Sequence, residues 1–240
     1  MKSDSADTLS RATVGVQFDK REQLIEVAVF LFLIGPSLVL SFFVIGQGNI
    51  SFMVTAISTI LRDLSLLSLI FFFLWRNKEV ISQLGWTRRH VWDDILMGVG
   101  LFVPLCLGAA VLEQILRAIG FSAPSAPLPA LEPSRSATEM LVALALVTIV
   151  AVTEETIFRG YLMLRFKAVL GSSFWNVLLS AFIFSLGHGY EGSAGVVTVG
   201  VMGVALGLAY TWRGSLVTPI TMHFLQDFVS IVLVPLLVGK

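Results

Sequence analysis

Charge is what this sequence has least of. Of 240 residues, 13% are Asp, Glu, Lys or Arg, where a soluble domain carries roughly a quarter. That shortage excludes an ordinary water-facing surface. With 56% hydrophobic residues and a mean hydropathy of +0.87, much of the surface must face lipid. The 16 basic and 16 acidic side chains cancel, so no basic field invites nucleic acid. The single cysteine, Cys106, excludes an intramolecular disulfide, and its apolar surroundings in sequence point to packing. A Cys/His cluster of zinc-finger type and a glycine-rich phosphate loop are both missing. So is any convincing internal repeat, which counts against an inverted-repeat transporter.

What the chain has in quantity is long apolar runs. A membrane helix needs about 20 mostly apolar residues, and seven segments meet that test: about 24–46, 51–75, 92–117, 138–166, 173–190, 193–211 and 214–238. The expectation is an all-α polytopic transmembrane bundle of about seven or eight spans. Residues 1–23, polar and mixed in charge, read as a disordered cytoplasmic tail, too long and too acidic for a signal-peptide n-region. Residues 24–117 form an N-terminal group of helices. A connection at 118–137, rich in proline (Pro124, Pro127, Pro129, Pro133), divides them from a C-terminal group at 138–240.

Basic residues collect on alternate connections: Lys20 and Arg21 before the first span, Arg76, Lys78, Arg88 and Arg89 after the second, Arg165 and Lys167 after the fourth, Arg213 after the sixth. The positive-inside rule then puts the N-terminus in the cytoplasm of a multi-pass cell-membrane protein. The composition reads as bacterial, which argues against a prenylated substrate. Arg62 and Asp63 interrupt the second span; neighbours in a helix do not face each other, and a structural role is expected of them. Gly203 and Gly207 have the spacing that lets helix backbones approach closely.

A charge inside a membrane is costly, roughly 2.5–3.5 kcal/mol on insertion scales, so each asks for a reason. The fourth span reads Thr153-Glu154-Glu155-Thr156-Ile157-Phe158-Arg159. Glu155 and Arg159, four apart with the acid first, suit a helical ion pair. Glu154 points about 100° away and has no such partner, so it is available as a general base. The fifth span ends Phe184-Ser185-Leu186-Gly187-His188, and the seventh carries His223 and Asp227 on one face. Each group alone reads as helix–helix glue. Acid or imidazole on three separate helices within the last 90 or so residues reads as a site. Of the other polar or aromatic positions, His90 falls in a basic loop and is expected to be solvated, while Phe158 and Phe184 read as packing residues.

At these residues the sequence resembles the CAAX-processing and bacteriocin-processing family of intramembrane proteases, also called the Abi family, which includes the prenyl-protein CAAX endopeptidases. The three motifs stand as Glu154-Glu155-x-x-x-Arg159, Phe184-x-x-x-His188 and His223-x-x-x-Asp227, in the family's order, within about residues 138–228. The resemblance implies an endopeptidase acting on a peptide or protein substrate at the bilayer. It implies that Glu154 and His188 activate a water, that His223 and Asp227 stabilise the oxyanion or orient the substrate, and that Glu155 and Arg159 support them. Asp227 replaces the Asn of the eukaryotic members, so an oxyanion role there needs its protonated form. No cofactor is expected; were zinc used, Glu154, His188 and His223 would be its ligands, yet the His-Glu-x-x-His helix of common zinc peptidases is absent.

Two other readings of the same residues are a proton-coupled transporter, since membrane carboxylates and imidazoles also form relays, and a noncatalytic scaffold or immunity protein. A rhomboid-type serine protease would need Gly-x-Ser-Gly, and Gly192-Ser193-Ala194-Gly195 has its serine one place early. Straight spans leave one misfit. His188 falls roughly 9 Å past the centre of its helix, whereas Glu154 lies near mid-membrane, so contact requires tilt, an offset fifth helix or a polar cavity. Substrate identity and oligomeric state leave no mark in the sequence.

Overall fold

The computed structural model describes residues 20–42, 51–123, 131, 133–134 and 136–238, and every regular element among them is helical. Most of the 1–23 tail and part of the 118–137 connection lie outside the described residues. Seven apolar helices occupy the seven expected segments: α1 Lys20–Ser41, α2 Phe52–Arg76, α3 Val91–Ala118, α4 Ala137–Leu170, α5 Ser173–Leu186, α6 Gly192–Arg213 and α7 Val217–Leu237. All but α5 are long and apolar enough to cross a bilayer. The protein is an all-α, polytopic membrane bundle.

Local sequence sets the ends of these helices. Ser51 caps α2, its Oγ accepting from the Val54 N–H at 3.4 Å, and Ser136 caps α4 by accepting from Glu139 N–H at 3.3 Å. Burial then sorts the helices by role. α3 has 6% of its apolar window buried inside the protein and α4 has 50%. α3 is therefore a lipid-facing wall, and α4 is the central post.

The basic helix ends meet on one side of the bundle. Arg165 on α4 donates to both oxygens of Glu79 at 2.6 Å each and lies 3.2 Å from Glu26 on α1. Glu26 also accepts from Asn77 at 2.7 Å and from Arg76. Arg213 reaches Asp94 at 2.7 Å, and Leu216 N–H donates to Gly85 O at 3.0 Å. Gly85 turns there with φ of 88°, a backbone position that favours glycine.

The fifth helix departs from its expected span of 173–190. It stops at Leu186, and at 14 residues it is about 21 Å long, some 9 Å short of a hydrocarbon core of about 30 Å. Its partner α6 keeps going. A Cβ on Gly203 would sit 3.1 Å from that of Ala181, and one on Gly200 3.5 Å from that of Ser185. The eight residues of α6 before Gly200 therefore rise about 12 Å beyond the end of α5. Residues 187–191 form a ledge inside the membrane, held from α1 by Ser41, which donates to Leu186 O at 2.8 Å and accepts from Gly189 N–H at 3.2 Å.

Arg165 is 1% exposed with two acidic partners. Replacing it by Leu strands those carboxylates, a loss expected at about 3–5 kcal/mol of unfolding free energy. Unfolding in mixed detergent micelles measures this; a variant within about 1 kcal/mol of wild type would show that the cluster contributes little.

Candidate active site

Two irregular turns shape the site. α4 opens into a π-helical stretch at Thr156–Leu162, directly after the paired glutamates, and α7 does the same at Phe228–Leu233, directly after Asp227. Such wide turns are rare and gather at functional positions. Gly160 makes the first one compact: a Cβ there would fall 3.1 Å from Leu84 O and 3.4 Å from the Leu216 side chain.

That contact sets the depth of every polar group. Glu154 is six residues from Gly160, and His223 is seven from Leu216, so both stand about 9–11 Å further in from the same level. The stunted α5 carries His188 to a comparable depth, because about 21 Å of helix from Ser173 compares with about 24 Å from Leu170 back to Glu154. The misfit expected from straight spans disappears once α5 is short.

The two glutamates separate as their spacing requires. Glu155 is fully buried; its Oε1 accepts from Arg159 Nη1 at 2.7 Å and lies 2.8 Å from His223 Nδ1. Arg159 is equally enclosed, and its Nη2 donates to Gly203 O on α6 at 3.2 Å. Its guanidinium also lies 4.4 Å from the centre of the Phe184 ring on α5. The ion pair thus ties together α4, α5, α6 and α7. Phe184, read from the sequence as packing, is the hub of the aromatic contacts, with Phe158, His188 and His223 ring centres 5.0, 4.8 and 5.9 Å away.

Glu154 is the carboxylate left over. Its side chain is 17% exposed, and its Oε2 has no hydrogen-bond partner among the described residues. His223 Nε2 is 3.9 Å from that oxygen and 3.4 Å from Asp227 Oδ2. One imidazole thus presents Nδ1 to Glu155 and Nε2 to two further carboxylates. His188 has its Nδ1 3.1 Å from Phe184 O, which leaves Nε2 free. His188 shares the cavity but makes no ion pair or hydrogen bond with Glu154 among the described residues. That cavity, of about 1370 Å³, is lined by Glu154, His188, His223 and Asp227. Arg62, Asp63, Tyr190, Glu191 and Gln226 also line it and were not expected there. For Arg62 and Asp63 the signal was present, since charges in an apolar span ask for a reason; Tyr190 and Glu191 reach the cavity only because α5 ends early.

Among the described residues, no group of three or more His, Cys, Asp or Glu side chains is arranged to hold a metal ion. Ser193 does not fit a serine nucleophile. It is locked to Ser122, which donates its N–H to Ser193 Oγ at 2.9 Å and accepts from Ser193 N–H at 3.1 Å.

Gly203 lets this assembly close, since a Cβ there would press on Ala181 and come within 3.3 Å of Arg159 Nη2. Gly203→Ala is expected to cost about 1–3 kcal/mol through overpacking, and Gly203→Leu more. Unfolding curves for the two variants check this, and equal midpoints would show that α5 and α6 are not tightly apposed there.

Comparison with curated proteins and with solved structures gives no match. A protein-family comparison does: residues 136–229 match the family described as Rce1-like, type II CAAX prenyl endopeptidase. The matched segment runs from the cap of α4 to just past Asp227, and it contains all three polar motifs. Over residues 136–229, this chain is therefore similar to the type II CAAX prenyl endopeptidases, which supports the resemblance carried by its three polar motifs.

Proposed function

We propose that the protein is an endopeptidase that hydrolyses a peptide bond of a membrane-associated substrate, with Glu154 as general base. The observation that carries this reading is the contrast between two adjacent carboxylates. Each has an Oε2 without a hydrogen-bond partner among the described residues, but Glu155 is tied through Oε1 to Arg159 and His223 and is fully buried, whereas Glu154 lines the cavity shared with two imidazoles. Of the two, Glu154 is the one placed to take a proton from a water in that cavity.

In this mechanism a water between Glu154 and His188 loses its proton to Glu154 as its oxygen attacks the peptide carbonyl. His188, with Nδ1 turned to Phe184 O, offers Nε2 to that water. His223 meets the developing negative charge on the carbonyl oxygen. Glu155 accepts from its Nδ1–H, so His223 donates from Nε2 into the cavity as the doubly protonated imidazolium, whose charge Glu155 and Asp227, 3.4 Å from Nε2, balance. Glu154 then returns its proton to the leaving amine. Every proton in this sequence rests on a residue of the chain. The clustering of basic helix ends supports placing that side, and the N-terminus, in the cytoplasm.

Glu154→Gln is expected to lower kcat/KM for peptide cleavage by at least about 10²-fold without unfolding the protein. Purified wild type and variant, compared on one peptide library in detergent, measure it. Equal cleavage by both would remove Glu154 from the chemistry.

A further inference from the structure

Arg62 interrupts α2 at mid-span, and its surroundings do not match those of a structural arginine. Its Nε and Nη2 converge on a single oxygen, Asp63 Oδ1, at 2.9 and 2.8 Å. Among the described residues no other acceptor meets the guanidinium. Asp63 is 1% exposed, with Oδ2 buried and unbonded, whereas the Arg62 side chain remains 45% exposed. The contrast with Arg159 and Arg165, each enclosed and paired with several groups, is plain. Asp63 steers this guanidinium from one side and leaves its remaining N–H donors open to the cavity that Glu154 lines.

The depth is right for a substrate contact. Phe52 and Ala56 of α2 share one apolar cluster with Ala143, Leu146 and Val147 of α4. Both helices start from the end of the bundle away from the basic cluster, so they run parallel. Six residues beyond Ala56 on α2 therefore stands about level with six beyond Val147 on α4, which sets Arg62 beside Thr153 and Glu154. A half-open cation at that level, in a cavity otherwise walled largely by apolar side chains, fits an anion brought by the ligand. Guanidinium presents parallel N–H donors in a fork that matches a carboxylate.

We infer that Arg62, held by Asp63, is a specificity-determining residue that anchors a carboxylate of the bound peptide in the cavity that Glu154 lines. The inference rests on the peptidase reading for the identity of the ligand. Its test reads binding, not turnover.

Protein carrying Glu154→Gln is titrated with three pools of fluorescent apolar hexapeptides: free C-terminal acids, C-terminal amides, and amides with one internal Glu. The acid pool is expected to bind on the order of tenfold tighter than the plain amides. A matching gain in the internal-Glu pool would assign the anion to a side chain, and its absence to the chain terminus. Arg62→Gln should abolish the preference, Arg62→Lys should keep part of it, and Asp63→Asn should weaken it. Equal binding of all pools, binding of none, or a preference that survives Arg62→Gln overturns the inference. Cleavage by the protein with Glu154 intact is assayed separately. Its presence alongside equal binding would sink the anchor alone, and its absence alongside a preference lost in Arg62→Gln would sink the peptidase reading alone.

Discussion

Glu155 and Arg159 lie one helical turn apart with no water to share their charge, and the rest of the site is arranged around that fact. A buried carboxylate and a buried guanidinium are tolerable when they are paired with each other and held by further hydrogen-bonding groups. Arg159 finds Gly203 O, which requires a residue without a side chain where α6 passes. Glu155 finds His223, which fixes one nitrogen of the imidazole and so decides what the other can do. Phe184 lies over the guanidinium and sets where α5 packs. An ion pair of this kind is poor evidence of stability, because well-packed apolar residues often do as well. What it supplies here is register: four helices meet at one level because four groups need the same two charges.

Much of this was legible in the chain. Seven apolar runs gave seven helices, and the four-residue spacing of Glu155 and Arg159 led to the observed contact. Divergence of the adjacent glutamates follows from helix geometry alone. The sequence did not show where α5 stops. Hydropathy continues through Gly187, Gly189 and the start of the next helix with little punctuation, and the end is decided by tertiary contacts such as Ser41 on Leu186 O. Tyr190 and Glu191 were invisible for the same reason. Nor does periodicity say which way an isolated charge on α2 points, so the sequence does not set Arg62 and Asp63 at the wall of the cavity that Glu154 lines.

The wide turns of α4 and α7 belong to the same constraint. A regular helix repeats its faces every 3.6 residues, which already separates Glu154 from Glu155 and brings Glu155 to Arg159. An inserted π turn shifts the phase between the upper and lower halves of the helix. α4 is thereby a site support above Thr156 and a docking post for the basic end below Leu162. Those two tasks explain why half of its apolar window is buried inside the protein.

The short α5 has a consequence for the lipid around it. At 14 residues α5 is roughly 9 Å shorter than a hydrocarbon core, so the bilayer meets a hydrophobic mismatch beside it that the six longer helices do not present. Membrane thickness becomes a control variable for this molecule. Shorter acyl chains bring the headgroup region down toward the ledge. Longer ones place a dry layer over it. Hydrophobic mismatch, elsewhere a modest cost shared around a protein's perimeter, is here concentrated at one doorway.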